Sequence, residues 1–211
     1  MLVRIDRAAA PFVVLAALPA AAAVTLGALG AGIGLLALPA ATALFFRDPE
    51  RSPDPDPALV LAPADGRVMH AGDARPAEAP PGRWRQVTIF LSVFDVHINR
   101  TPASGRVTRV EYTPGTFLPA YREGAHANEH SEIWIDHQGT PIVVRQVVGV
   151  LARRVVCRVR AGDTLAAGAR IGLMKFGSRM DVFVPPTAEL TVAAGATVRA
   201  AETVIARLVS R

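Results

Sequence analysis

The sequence predicts a mainly β protein: a barrel-sandwich-like domain of short hairpins, preceded by an N-terminal transmembrane helical hairpin. Three observations carry this prediction. Residues 8–46 contain no charged side chain. Residues 49–57 interleave prolines with charges. Beyond them, alternating or β-branched apolar runs recur between glycine turns, and amphipathic segments of helical length are nearly absent. The chain divides accordingly into an anchor over 1–48, a proline-rich linker over 49–57 and a folded domain over 58–211.

The anchor follows from length and charge. Its apolar run of about 39 residues is nearly twice the ~20 that one span needs, and a secretory signal has a shorter apolar region. The glycine-rich stretch from Gly27 to Gly34 is able to turn, so two short helices fit, with a single tilted span as the alternative. Arg4 and Arg7 precede the run and Arg47 follows it. The positive-inside rule then places both ends, and the domain behind them, on the cytoplasmic side of the inner membrane. In the linker, Pro49, Pro53, Pro55 and Pro57 forbid helix and favour an extended chain, with Arg47 and Arg51 expected at head-group height.

In the domain, strands are expected at Leu59–Ala62, Arg67–Met69, Gln86–Leu91, Gly105–Tyr112, Glu132–Asp136, Ile142–Val150 and Val155–Val159. Two weak repeats accompany them. Ala161-Gly162-Asp163-Thr164-Leu165 echoes Ala194-Gly195-Ala196-Thr197-Val198, and Asp65-Gly66-Arg67-Val68 echoes Ser104-Gly105-Arg106-Val107. The first pair resembles the hairpins of biotinyl and lipoyl carrier domains, which are flattened β-barrels.

Composition narrows the function classes. The net charge of +5 is carried almost wholly by arginine, Lys175 being the only lysine. A basic surface suits anionic phospholipid head groups. With two Trp, two Tyr and no recognisable binding motif, nucleic acid is not expected. A single cysteine, Cys157, excludes an internal disulfide, and its strand context marks it as core.

Four constellations compete for the chemistry. His126-Ala127-Asn128-Glu129-His130 has the H-x-x-E-H spacing of a zinc site, but that pattern needs a helix, and a strand begins near Glu132; no metal is expected. Met174-Lys175 resembles a biotinylation site, the basis of an alternative reading as a carrier or membrane adaptor without catalysis. Ser178 as a plain hydrolase nucleophile lacks the G-x-S-x-G elbow. The fourth takes several segments together: Phe45-Phe46-Arg47-Asp48-Pro49-Glu50-Arg51, Pro63-Ala64-Asp65-Gly66-Arg67-Val68, Phe90 to Pro102, and Phe176-Gly177-Ser178-Arg179-Met180-Asp181. In order and spacing these resemble the signature blocks of the phosphatidylserine decarboxylase family, in its short, membrane-anchored bacterial and archaeal form.

That resemblance implies a proenzyme that cuts itself between Gly177 and Ser178. The serine hydroxyl attacks the preceding carbonyl to form an ester, β-elimination leaves dehydroalanine, and hydrolysis gives a pyruvoyl group at residue 178. The substrate amine then forms a Schiff base with that ketone, which accepts the electron pair released with carbon dioxide. The product is phosphatidylethanolamine. By matching blocks, Asp65 and His97 would assist Ser178, with the logic of an acid-oriented imidazole. Some family members carry two histidines in the His97 block. Arg100 stands at the second position here, which leaves His97, His126 or His130 to protonate the carbanion. Arg67, Arg100 and Arg179 are candidates for the substrate phosphate or carboxylate, and His126, Asn128 and Glu129 are further candidate substrate-binding residues. The implied partners are an anionic phospholipid membrane and the two fragments of the chain, held together; a homodimer is compatible with the reading.

Overall fold

The computed structural model describes residues 4–122, 124–150, 155–175 and 177–209. They fall into two compact units, Met1–Glu50 and Arg51–Arg211.

The first unit is a helical hairpin. Helix α1 (Ala10–Thr25) ends at Gly27, whose φ of 79° reverses the chain. The return arm is two short helices, α2 (Leu29–Leu35) and α3 (Ala37–Phe45). Strands β1 (Arg4–Ile5) and β2 (Arg47–Asp48) pair antiparallel and bring the two ends together, with Phe46 stacked on Phe12 at 5.4 Å. Leu15, Leu18, Leu29, Leu36 and Leu44 all point outward. Residues Arg7–Thr25, with mean hydropathy 2.0, are long and apolar enough to cross a membrane; the apolar segment Leu29–Phe45 is shorter.

The second unit is almost entirely β. Its strands are β3 (Leu59–Leu61), β4 (Gly66–Asp73), β5 (Arg85–Leu91), β6 (Ile98–Arg100), β7 (Gly105–Thr113), β8 (His130–His137), β9 (Thr140–Val147), β10 (Val155–Cys157), β11 (Thr164–Leu165), β12 (Arg170–Met174), β13 (Ser178–Val184), β14 (Glu189–Leu190), β15 (Thr197–Val198) and β16 (Val204–Arg207). An antiparallel sheet runs β11-β7-β8-β9-β13-β5-β4-β15, and two three-stranded sheets, β10-β12-β6 and β14-β16-β3, complete the domain. The expected strand over 142–150 begins two residues earlier, at Thr140, and ends at Val147, before Gly149.

The two repeats read in the sequence dock on one another in equivalent registers. Thr164 and Leu165 pair with Arg106 and Gly105, as Thr197 and Val198 pair with Arg67 and Gly66. Gly105 and Gly66 have φ of 155° and 152°, and at each a Cβ would strike the carbonyl of the neighbouring strand, Asp136 or Phe90. Both long hairpins also shift register just after this point, between Val107 and Arg109 and between Val68 and His70. The domain is thus built from two similar halves, with β9 and β13 side by side between them. Two apolar clusters fill the interior, one around Val87, Ile89 and Val182, the other around Leu91, Met174 and Met180.

Candidate active site

Strand β13 is flanked on both sides, by β5 and β9, and all seven of its residues are buried. Its first residue is Ser178, the strand partner of Leu91. Alternation along the strand puts Ser178 on the face of Met180, which packs with Leu91 and Met174 in the interior. Ser178 is fully buried, and its Oγ has no hydrogen-bond partner among the described residues. A buried hydroxyl left unmatched costs stability, so such atoms are few and point to a use. Gly177 before it has φ +69°, the left-handed region that costs an ordinary residue about 1–2 kcal/mol.

His97 comes to this point by a separate route. Strand β6 pairs with β12, Ile98 opposite Leu173, and Met174 N donates to His97 O at 3.3 Å. Segments 92–97 and 174–178 are therefore joined at both ends, by the Leu91–Ser178 pair and by the His97–Met174 bond. The His97 ring is fully buried, and its Nδ1 lies 2.9 Å from the Asp95 carbonyl oxygen. A carbonyl only accepts, so Nδ1 carries the proton and Nε2 is the basic nitrogen of the neutral ring. Asp95 is itself fixed, its carboxylate accepting from Ser92 N and Ser92 Oγ at 2.7 Å each.

Asp65 was expected to orient this imidazole; its hydrogen bonds run elsewhere. Its carboxylate receives Arg51 at 2.9 and 2.8 Å and the backbone N–H of Ala200 at 2.8 Å. Arg51 also pairs with Glu202 at 3.2 Å and has only 8% of its side chain exposed, so it braces the linker to the domain. The group at His97 Nδ1 is a backbone carbonyl, not a carboxylate.

The arginines also separate. Arg179 lies on the face of β13 opposite Ser178, bonded to Asp181 at 2.9 Å and to Glu78 at 2.6 Å. Burial works against its charge, but Asp181 and Glu78 outweigh it and hold the guanidinium above its ordinary pKa. Its neighbour Arg145 is bonded to Glu132 and to the Glu78 carbonyl. Arg179 is thus a structural ion-pair partner, and the expected role on the substrate is not open to it. Arg100 is buried and donates to the Gly168 carbonyl at 3.1 Å. Arg67 is exposed, with Nε 3.3 Å from the Gly195 carbonyl.

The His126–His130 segment forms an edge of the site. His126 sits in a 3-10 turn over Ala125–Ala127, and His130 begins β8 with Nδ1 2.7 Å from the Asn128 carbonyl. The two imidazoles therefore share no helix face, as a zinc site of this spacing needs. Asn128 is fully buried: its Oδ1 accepts from Leu118 N and Thr116 Oγ1, and its Nδ2 donates to the carbonyls of Leu118 and Val148. It ties the β7–β8 loop to the end of β9. Glu129 accepts at its carbonyl from Val148 N, 3.1 Å away. Continuing the β8–β9 register places Glu129, Val148, Ser178 and Leu91 in one row on the interior face. The Glu129 side chain is buried, with no ion pair to another described residue. Lys175, in the tight β12–β13 link, is partly buried rather than displayed at a hairpin tip as a carrier lysine would be.

One residue of the site went unread in the sequence. A Cβ on Gly149 would collide with the Gly177 carbonyl oxygen, so the backbone just past β9 lies directly against the carbonyl that precedes Ser178. An isolated glycine at the end of an apolar strand run, Val147-Val148-Gly149-Val150, was the available signal. A cavity of about 720 Å³, lined by Pro57, Trp84, His137 and Pro185, lies at the opposite ends of these strands and touches no candidate residue.

Comparison with known proteins bears on this serine, which is buried behind a left-handed glycine. The family model for phosphatidylserine decarboxylase matches residues 38–206. The chain belongs to the phosphatidylserine decarboxylase family. It is 45% identical over 168 residues to the phosphatidylserine decarboxylase proenzyme of Salinibacter ruber, covering 78% of this chain and 74% of that one. To the proenzyme of Symbiobacterium thermophilum it is 44% identical over 185 residues, 87% and 84% of the two chains. To that of Gluconacetobacter diazotrophicus it is 46% identical over 170 residues, 78% and 75%.

Proposed function

We propose that this protein is a self-processing phosphatidylserine decarboxylase of the cytoplasmic membrane, anchored by its helical hairpin with the β domain on the cytoplasmic side. The observation that carries the reading is the Gly177–Ser178 junction: an unmatched buried hydroxyl directly follows a left-handed glycine. Ser178 Oγ attacks the Gly177 carbonyl carbon, the C–N bond breaks, and the leaving nitrogen keeps its hydrogen and takes up the proton released by the hydroxyl, becoming an amine. His97, with Nδ1 protonated against Asp95, offers Nε2 to take the hydroxyl proton. Loss of the Ser178 α-proton with cleavage of its Cβ–O bond then frees residues 1–177 as a carboxylate. Residue 178 loses its nitrogen by hydrolysis and becomes a ketone.

That ketone supplies a Schiff-base partner for the head-group amine and a sink for the electrons left by carbon dioxide. Around it, the interior apolar row excludes water, and the Glu129 carboxylate stands on the same face. His97 would hold and return the proton at its Nε2, with His126 and His130 as the alternative acids. The two fragments stay together because β13, β15 and β16 of the small one pair with β5, β9, β4 and β3 of the large one.

Intact mass of the purified protein tests this. The expected species are residues 1–177 and a small fragment of about 34 residues beginning at 178 and lacking its amine. Ser178→Ala should remain one uncut, inactive chain. An intact parent chain that decarboxylates phosphatidylserine would overturn the reading.

A further inference from the structure

Turning residue 178 into a ketone consumes one water molecule, at a place that bulk water does not reach. Every residue of β13 is buried, and the row Glu129, Val148, Ser178, Leu91 faces the interior. The next row on the same face is Ser131, Gln146, Met180 and Ile89. Gln146 is therefore the diagonal neighbour of Ser178 across the β9–β13 pair, about 7–8 Å away and within reach of a long side chain.

The Gln146 side chain crosses to the smaller sheet. Gly172 in β12 makes room for it, since a Cβ there would come 2.7 Å from Gln146 Nε2. That nitrogen donates at 2.8 Å to Oδ1 of Asn99, the strand partner of Gly172 in β6. Asn99 lies two residues beyond His97, on the same side of the chain by alternation. The two amides thus link the sheets one row below His97 and Ser178. Both side chains are fully buried. Each keeps one open atom: Asn99 Nδ2, a donor, and Gln146 Oε1, an acceptor, have no hydrogen-bond partner among the described residues. Leaving such atoms unmatched costs about 1–3 kcal/mol each. A donor paired with an acceptor inside a closed interior is the setting that holds a buried water, which accepts from one and donates to the other.

We propose that Asn99 and Gln146 hold the water that hydrolyses residue 178. Asn99 Nδ2 donates to its oxygen and Gln146 Oε1 accepts one of its hydrogens, leaving a lone pair for attack. This rests on the decarboxylase reading, which supplies the step. Once the Cβ–O bond has broken, residue 178 is an enamine, and a proton moving from its nitrogen to Cβ gives an imine. The water oxygen bonds to the imine carbon, the C–N bond breaks, and the nitrogen leaves as ammonia with both hydrogens of the water. The oxygen remains as the ketone. Asn99 and Gln146 are positioning residues, because they act through the water they place.

The test follows the freshly made full-length chain through cutting, with samples quenched in borohydride. The mass of the small fragment then reads residue 178 as alanyl where it was still an imine and as lactyl where it had become a ketone. In the parent the lactyl form should appear together with the cut. In Gln146→Met and Asn99→Leu the alanyl form should build up, its conversion slowed about tenfold or more whatever the rate of cutting. Gln146→Glu keeps an accepting oxygen and should recover part of that loss. In crystals of the uncut Ser178→Ala protein, a water should lie within hydrogen-bond distance of Asn99 Nδ2 and Gln146 Oε1. Prompt lactyl formation in both variants, loss of cutting in both, or no water density between the two amides overturns the proposal. If the parent chain does not cut itself, the decarboxylase reading has failed instead, and the crystal density decides the water site alone.

Discussion

Gly149 lies so close to Gly177 that a Cβ on the first would collide with the carbonyl oxygen of the second. This carbonyl is the one Ser178 is proposed to attack, so Gly149 sets its position and is a positioning residue for the cut. Gly149→Ala should push the carbonyl off line and slow self-cleavage by about tenfold or more. A time course of fragment formation on denaturing gels measures this. Melting of the uncut protein, alongside, separates slowed chemistry from lost fold.

Arg179 neutralises two buried carboxylates, Asp181 and Glu78. Arg179→Met leaves both without it and should destabilise the domain by about 3–5 kcal/mol, the usual cost of breaking a buried pair. Thermal unfolding should show a large drop, partly rescued by Arg179→Lys. A substrate-binding arginine would instead raise KM at unchanged melting temperature.

Asp65 and Arg51 form a two-pronged pair at 2.9 and 2.8 Å. In the uncut Ser178→Ala background, Asp65→Asn and Arg51→Met should each cost about 2 kcal/mol. Their double variant should cost less than the sum, which denaturant unfolding measures. In the cleavable chain the two single variants should slow processing equally. A selective defect in Asp65→Asn would assign that carboxylate to the chemistry.

Cys157 gives a pH prediction. Burial pushes its thiol pKa up, against smaller opposing effects from hydrogen bonds to the Val159 carbonyl and Ser131. A raised folded-state pKa means the native protein holds this proton more tightly than the unfolded chain. Its contribution to stability is therefore complete below the ordinary thiol pKa and is lost as pH rises through the folded value. Alkylation by iodoacetamide at pH 8 should be slow in the native protein and fast in denaturant, and Cys157→Ser should flatten the alkaline fall in stability.

The strands and the duplication were legible in the sequence because glycine turns and β-branched runs report local geometry. Asp65-Gly66-Arg67-Val68 and Ser104-Gly105-Arg106-Val107 resemble one another because each must pass a neighbouring carbonyl at its glycine. Ser178 and His97 were readable as blocks. What the sequence could not show was partnership at long range. Asp65 meets Arg51 and Ala200, the latter 135 positions away, and Arg179 meets Glu78, 101 away. Nothing local marks such pairs. The facing of Arg179 was nonetheless available, since alternation from Ser178 puts it on the other side of the strand.

The position of β13 between the two similar halves has a consequence for the life of the molecule. The proposed cut falls just before it, so one half keeps its own strands β11 and β12, while the other receives β14, β15 and β16 from a separate chain. Folding before the cut is a first-order event of one polypeptide. Afterwards, recovery from unfolding is a second-order encounter and depends on concentration. A fragment beginning with a ketone also has no amine from which to remake the peptide bond. Maturation thus works as a ratchet, and the only route to a new molecule is a new translation product.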